Sequence, residues 1–517
     1  MTTQAAGMDI AATEIEEGTR VVPGPDMIPM SQKIAFGLGM LANQLFPAAL
    51  GIFMVILVQS LGMSPFLWGL IFFLPKLVDA ITDPLMGYIS DRTESRWGKR
   101  RPYIFIGAIV AGISYIAMWQ LSAENSQMYN FWYFLAWSIV FTLGLTIFAA
   151  PYVALGYEMS RDYHERTRLM AVAQWIGQWA WVIAPWFWII LYDPDWFPSA
   201  TEGARTLSIY VGLFCMALAM VPAIFCRSTH SVDDGIGGDG ANASLGDRFR
   251  DLFRGIGITF RNRPFQKICI ATFFIFNAFN CVAGFAFFII VYYMHAGDPV
   301  AAGNWPAMFG SVSALCTCFL VIPVVNWMAQ RYGKHQTFLM TQTVSLMGYA
   351  MFWWSFSPEN PFLMLVPIPL YVFGIGGLFT LMMSMTADVC DMDELETHER
   401  REGLFGAIYW WMVKFGGAFA GLLSGLILGT VGFDQSVTVQ SDSALAGLRA
   451  AFILVPVTGT LIGIWVMRNY DLDETRVREY ARSSMPVPSL HLSCSRGPIN
   501  PASTLPIRRF EQRLRAS

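Results

Sequence analysis

Hydrophobic runs long enough to cross a bilayer recur along the whole chain and alternate with short polar segments. The hydrocarbon core of a bilayer is about 30 Å thick, so a helix needs about 20 mainly apolar residues to cross it. Twelve runs approach or exceed this length, at 33–60, 66–89, 102–120, 129–155, 170–192, 207–226, 265–294, 305–329, 337–356, 362–386, 404–430 and 447–467. The pattern predicts an all-α membrane protein with twelve transmembrane helices.

The composition agrees with a membrane location. Hydrophobic residues make up 55% of the 517 residues, charged residues make up 14%, and the mean hydropathy is +0.45. Because ordinary soluble domains carry about 25% charged residues, a soluble protein is implausible. The formal net charge of −3 gives no indication of a nucleic-acid partner. The expected partner is the lipid bilayer, and we expect the chain to be a monomer.

Basic residues in alternate loops orient the predicted helices. One set of loops contains Arg92, Arg96, Lys99, Arg100, Arg101, Arg161, Arg166, Arg168, Arg331, Lys334, Arg400 and Arg401, whereas the opposite loops contain essentially Arg205 alone. By the positive-inside rule, both termini and the central loop are expected in the cytoplasm of a cell-membrane protein. Residues 1–26 lack the apolar core of a cleavable signal sequence.

Short motifs recur at one interval and predict two related halves. RWGKR at Arg96–Arg100 matches RYGKH at Arg331–His335, and HER at 164–166 matches HER at 398–400, with offsets of 235 and 234 residues. These matches predict a duplicated six-helix unit with a binding site near the midplane between the halves.

A polar linker separates the two predicted halves. Residues 230–247 are rich in Gly, Asp and Ser, and a basic amphipathic segment follows them. The predicted organisation is a disordered N-terminal arm at 1–30, a six-helix bundle at 31–228, a linker at 229–264, a second six-helix bundle at 265–468 and a C-terminal tail at 469–517.

Three charged residues lie inside the second hydrophobic run. Lys76, Asp79 and Asp83 are spaced i, i+3 and i+7, so a helix would present them on one face. A charged side chain at bilayer depth costs at least a few kcal/mol and marks an ion or substrate pathway. An alternative interpretation is that Lys76 neutralises one aspartate and that the trio only serves packing.

Several motifs carry a family resemblance. The segment at 76–102 reads KLVDAITDPLMGYISDRTESRWGKRRP, and it is joined by PYVALGYEMSRDYHERTRL at 151–169, ADVCDMDELETHERREG at 387–403 and MVKFGG around Lys414. Over roughly 33–470 the chain resembles the glycoside–pentoside–hexuronide:cation symporters, the melibiose permease family of the major facilitator superfamily. The resemblance implies two pseudo-symmetric six-helix bundles that transport a sugar-like solute with Na⁺ or H⁺ by alternating access.

The resemblance assigns cation binding to Asp79, Asp83 and Thr82. Two carboxylates one turn apart offer oxygen ligands to a hard cation, and desolvation with mutual repulsion favours a proton on one of them instead. The choice between Na⁺ and H⁺ therefore stays open. No other metal and no cofactor are expected.

Solute binding is expected at residues that match or surround the sugar site of the family. The candidates are Lys414, Gln44, Asn43, Gln174, Gln178, Trp175, Asn277, Tyr409 and Trp410. The permease has charged residues where this chain has Gln44, Ala149 and Gln174, which puts a site of the permease's kind in doubt. Alternatively, the tryptophans lie at membrane interfaces, the amides bridge helices, and Lys414 extends to an interface.

The basic loops also resemble the loop motif of the superfamily, which implies charge pairs that hold one access state. The candidates for charge pairing and gating are Lys76, Asp91, Arg92, Arg96, Arg100, Glu158, Arg166, Asp388 and Asp391. Alternatively, some of the arginines only determine topology.

The predicted function is cation-coupled symport of a sugar, glycoside or hexuronide. A cation-coupled lysolipid transporter of the same architecture is the alternative, and a solute sensor without transport is a weaker one. An enzyme is not expected, because no nucleophile–base pair is recognisable and the HER motifs lack the second histidine of a zinc HExxH site.

Overall fold

The computed structural model describes residues 27–91, 93, 95–160, 163–226, 257, 261–397, 402–434, 437 and 439–470. The predicted N-terminal arm, linker and C-terminal tail lie almost entirely outside these residues, and the domain boundaries stay predictions.

The first half of the chain forms six long helical segments. Helix α1 spans Met30–Phe53 and continues as Val55–Gln59, and α5 spans Tyr163–Ile183 and continues through a 3-10 turn, Ala184–Trp186, into Phe187–Tyr192. The other four are α2 (Pro65–Asp91), α3 (Arg101–Met118), α4 (Gln127–Glu158) and α6 (Ala200–Phe225).

The second half repeats this arrangement. Helix α7 spans Arg263–Phe288 and ends in a π-helical turn, Ile289–Met294, while α8 consists of Trp305–Leu315, the π-helical Cys316–Val321 and Ile322–Tyr332. The remaining helices are α9 (Lys334–Ser355), α10 (Ile368–Thr397), α11 (Glu402–Thr430) and α12 (Asp442–Met467).

These helical segments coincide with the twelve predicted spans. Within the described residues, ten are long and apolar enough to cross a membrane. The other two, α5 and α9, carry several amide and hydroxyl side chains, among them Gln174, Gln178, Gln342 and Ser345. A polar helix in such a bundle is expected where its side chains face other helices or an aqueous space.

The helix contacts repeat between the halves. In the first half α1 packs on α5 and α6, α3 packs on α4 and α6, and α2 packs on α4. The second half shows the same pairs displaced by six helices: α7 with α11 and α12, α9 with α10 and α12, and α8 with α10. The predicted pair of pseudo-symmetric bundles is confirmed.

Two seams join the halves, α2 against α11 and α5 against α8. Both are tight at the end remote from the basic loops. A Cβ at Gly425 would lie 2.2 Å from the Pro65 carbonyl oxygen, and one at Gly310 would lie 2.8 Å from Pro185. Ser311 also donates a hydrogen bond to the Val182 carbonyl at 2.8 Å.

Four aromatic side chains, the aromatic plug, fill the same end. Trp188 packs on Phe287 with ring centroids 4.5 Å apart, and Trp68 packs on Phe288 at 6.0 Å. All four are buried, and each pair joins one half to the other. Since aromatic pairs bury large areas, the plug closes this end of the interface.

The end of the interface next to the basic loops is more open. No described atom lies within 4 Å of a Cβ built at Gly87 of α2 or Gly406 of α11. Trp175 of α5 and Trp410 of α11, which belong to the helices of the two seams, are 60% and 46% exposed. The halves therefore converge at one end and separate towards the other.

Candidate functional site

The centre of the α2–α11 seam brings together the charged residues of both helices. Lys414 Nζ lies 3.0 Å from Asp79 Oδ2 and also contacts Asp83 Oδ2. Asp79 is buried, whereas the side chains of Asp83 and Lys414 are 34% and 35% exposed. One ammonium from the second half thus bridges two carboxylates from the first.

Lys76 completes the cluster from the α2 side. Its Nζ lies 3.6 Å from Asp79 Oδ2, and its side chain is 43% exposed. The predicted trio on one helical face therefore exists, but the closer cation is Lys414, 331 residues away from Asp83 along the chain. We call Lys76, Asp79, Asp83 and Lys414 the charge cluster.

A residue that sequence reasoning missed links the two carboxylates. The Thr146 hydroxyl on α4 lies 3.0 Å from Asp79 Oδ1 and 3.1 Å from Asp83 Oδ1, and Thr146 is buried. A hydroxyl has one proton to donate and two lone pairs, so its oxygen can also serve as a ligand. The available signal was a hydroxyl in the middle of an apolar run, close to Ala149.

Thr82, the third predicted cation ligand, lies on α2 next to Asp83. Its hydroxyl donates to the Val78 carbonyl at 3.0 Å, which is a bond within its own helix. The oxygen lone pairs remain as potential ligands one turn from the aspartates. Its role in cation binding stays a prediction.

The donor set suits a small hard cation. Two carboxylates and the Thr146 hydroxyl supply oxygens only, which are the ligands that such cations prefer. A carboxylate can instead hold a proton and donate it to the same hydroxyl. Either ion would compete with the Lys414 ammonium for the carboxylate oxygens.

A second polar group lies between α1 and α5. Gln44 Nε2 donates to Gln174 Oε1 at 3.0 Å, and Trp181 Nε1 donates to Gln44 Oε1 at 2.7 Å. These side chains are at least partly exposed, and amides inside a spanning helix are expected to face an aqueous space. The structure therefore brings together two of the predicted solute contacts, Gln44 and Gln174, and adds Trp181.

The other predicted solute contacts divide into two sets. Trp175, Gln178, Trp410 and Asn43 are at least partly exposed, and Trp175 packs edge-on against Trp179. Asn277 is instead buried and donates to the Gly416 carbonyl at 3.3 Å, and Tyr409 is fully buried. The solute-binding role of every member stays a prediction.

Three of the predicted charge-pairing residues, Arg100, Glu158 and Asp388, take part in two ion pairs at helix ends. Arg100 contacts Glu158 at 3.0 Å and donates to Ser90 at 2.6 Å, while Lys334 contacts Asp388 at 2.7 Å. Each pair joins helices of one half. Arg96 and Asp391 are exposed. The side chains of Asp91, Arg92 and Arg166 lie outside the described residues.

A further ion pair was not anticipated. Lys33 of α1 and Glu165 of α5 are both buried, with Nζ and Oε2 2.9 Å apart, and Arg168 contacts the same carboxylate at 2.7 Å. Hydrogen bonds from Lys33, and then from Arg168, hold the pKa of the Glu165 carboxyl below its ordinary value. The pair ties α1 to α5 next to the basic loops.

This pair predicts a pH dependence of stability. A carboxyl with a lowered pKa in the folded protein stabilises it above the unfolded pKa, about 4.3 for glutamate, and loses that contribution as the pH falls through the folded pKa. We expect the coupling between Lys33→Gln and Glu165→Gln, measured by thermal unfolding in detergent, to be present at neutral pH and to disappear once the pH has fallen below the lowered pKa of Glu165 in the folded protein. A coupling unchanged by acid would contradict the ion pair.

Comparison with known proteins identifies the family. A family model described as MFS/sugar transport protein matches residues 35–474. The chain belongs to this family. The MFS/sugar transport match covers both bundles and the charge cluster, and it confirms the predicted symporter family of the major facilitator superfamily.

The alignments with relatives of this MFS/sugar transport protein cover most of both chains. The glucuronide carrier protein homolog of Escherichia coli (strain K12) is 24% identical, with 86% of this chain and 93% of the relative covered. The sodium-dependent lysophosphatidylcholine symporter 1-A of Danio rerio is 25% identical, with 87% and 86% covered. Similarity therefore spans both bundles.

A solved structure supports the fold. A bacterial homologue of the human lysosomal transporter Spinster, in an inward-facing and unoccupied conformation, superposes with a TM-score of 0.63 at 14% identity, covering 88% of this chain and 98% of that one. At this identity the likeness concerns the fold alone, and it agrees with the major facilitator architecture.

Proposed function

We propose that the protein is a secondary transporter that carries a sugar-like solute together with Na⁺ or H⁺ by alternating access. The observation that supports this most is the bridge from Lys414, in the second half, to Asp79 and Asp83, in the first. An ion that binds these carboxylates must alter the contact between the halves, because it competes with the ammonium that joins them.

Coupling follows from this competition. A ligand shifts a conformational equilibrium only by its differential affinity for the two states. Cation binding at the carboxylates weakens the Lys414 bridge in the seam, so the cation acts on the equilibrium between access states. The released ammonium can then interact with a solute in the space between the halves, which makes solute and cation binding mutually favourable.

The shape of the interface supports an inward-open state. With the basic loops in the cytoplasm, the aromatic plug closes the outer end, and the space beside the charge cluster opens to the cytoplasm. Outward opening would require the plug and the two tight seam contacts to separate while the cytoplasmic ends of the halves approach each other.

Gradient-driven uptake into proteoliposomes tests the function. We expect radiolabelled glycosides, pentosides or hexuronides to accumulate above equilibration when an inward Na⁺ or H⁺ gradient is imposed, with each gradient applied separately. An ionophore that collapses the effective gradient should abolish the accumulation. Uptake that never exceeds equilibration under either gradient would refute symport.

A lysolipid transporter is the second candidate, because of the similarity to the lysophosphatidylcholine symporter of Danio rerio. The same proteoliposomes distinguish the two. Gradient-dependent transfer of lysophosphatidylcholine, without uptake of any sugar, would favour the lipid function.

A further inference from the structure

The charge cluster allows a charge balance for the transported complex. In the part of the chain that the structure describes, the centre of the α2–α11 seam carries two ammonium groups and two carboxylates, all connected by contacts of 3.6 Å or less. Asp388 does not belong to this group, because it pairs with Lys334 at the first turn of α9. With all four groups ionised, the cluster is neutral.

Binding of one monovalent cation leaves the cluster with one positive charge. This holds for Na⁺ among the oxygens and equally for a proton on one carboxylate. The excess resides on the ammonium groups, since the carboxylates then interact with the cation. Lys414 reaches the cluster from the middle of α11, where it is held partly shielded between the halves.

The polar group between α1 and α5 carries no charge that could compensate this one. Gln44, Gln174 and Trp181 hydrogen-bond among themselves and are all neutral. They offer amide groups and aromatic faces, which suit the hydroxyls and the ring of a sugar. The site is open to water on one side in this state, but alternating access requires the loaded site to close to water between the two open states. An uncompensated charge is unfavourable there, so the missing negative charge has to come from the solute.

We propose that the physiological solute is an acidic sugar that carries one negative charge, with its acidic group paired to Lys414 and its ring held by Gln44, Gln174 and Trp181. The proposal rests on the proposed symport function and specifies its substrate class. The net charge of the site is then zero both when it is empty and when it holds the solute together with the coupling ion.

Matched pairs of probes test the charge requirement. We expect the purified full-length protein, in detergent with saturating Na⁺ or in mildly acidic buffer, to bind p-nitrophenyl β-glucuronide at least about tenfold more tightly than p-nitrophenyl β-glucoside, a difference of about 1.4 kcal/mol. The galacturonide and galactoside pair repeats the comparison. Isothermal titration calorimetry gives both dissociation constants.

Three variants locate the effect. Lys414→Gln should bring the ratio of the glucoside and glucuronide dissociation constants to one or invert it. If Lys414→Gln does not fold, Lys76→Gln makes the same change of charge at a more exposed position. Lys99→Gln removes a lysine from an exposed loop and should leave the ratio unchanged.

Several outcomes would overturn the inference. They are equal or tighter binding of the neutral glycoside by the wild-type protein, no binding of any uronide, and an unchanged ratio in both cluster variants. Gradient-driven uptake of a neutral glycoside would overturn the charge argument alone and leave symport intact. Tight uronide binding without gradient-driven uptake would refute symport but retain the acidic-sugar site.

Discussion

Asp79→Asn and Asp83→Asn should each abolish accumulation of solute against its gradient and leave equilibration as the only transport. Asparagine keeps the shape of aspartate but removes the negative charge that attracts the coupling ion. In Asp79→Asn the loss also leaves Lys76 and Lys414 facing a single remaining carboxylate. With a Na⁺ or H⁺ gradient imposed on proteoliposomes, we expect the internal solute concentration to rise no higher than the external one. The uptake measured in protein-free liposomes is subtracted.

The control must separate ion binding from folding. Asp195→Asn removes a carboxylate from the exposed loop between α5 and α6, at the plugged end of the first half, and should not change accumulation. Each variant should elute as a single species on size-exclusion chromatography. Wild-type accumulation by either cluster variant would eliminate that carboxylate as a determinant of coupling.

Gly425→Val should shift the protein towards the state that opens at the plugged end. The backbone of α2 leaves no room at this position, since a Cβ would lie 2.2 Å from the Pro65 carbonyl oxygen and 3.0 Å from the backbone of Gly69. Backbone atoms cannot move aside as a flexible side chain can. Overpacking of this kind costs about 1–3 kcal/mol, which changes a two-state ratio by about 5- to 150-fold.

Spin-label distances report this shift. Labels at Glu124 and Glu359, both exposed at the plugged end of opposite halves, should move apart in Gly425→Val, in a background with the native cysteines replaced by alanine. Gly429→Val provides the matched control one turn further along α11, where a Cβ has no described neighbour within 4 Å. Unchanged distances in Gly425→Val would show that this contact does not determine which end is closed.

Much of the fold follows from local sequence. Membrane-spanning length and loop charge need no tertiary information, because a bilayer demands apolar helices of a given length. The repeated motifs also predicted two halves, and the equivalent helix contacts confirm them. The π-helical turn at Cys316–Val321 was not predicted, because no residue pattern in an apolar run specifies an extra residue per turn.

The candidate site was predictable where charge marked it and not where packing decided it. Asp79, Asp83 and Lys414 stood out because charged groups inside apolar runs are costly. Thr146 did not, because α4 also carries Ser138 and Thr142, and only the packing of α4 on α2 shows which hydroxyl reaches the carboxylates. The burial of Asn277 and Tyr409 in helix contacts could not be predicted, because it depends on how α7 and α11 are rotated in the bundle, and their role in solute binding stays a prediction.

The two seams differ in what they can respond to. The 235-residue offset that relates the halves pairs Thr82 with Thr317 and Asp83 with Cys318, so the α5–α8 seam lacks the counterpart of that carboxylate. The two halves therefore share the helix arrangement, but only the first half has a carboxylate at this position. In the proposed mechanism the coupling ion therefore acts on the α2–α11 seam, and the α5–α8 seam has no carboxylate at the position equivalent to Asp83 that could respond to it.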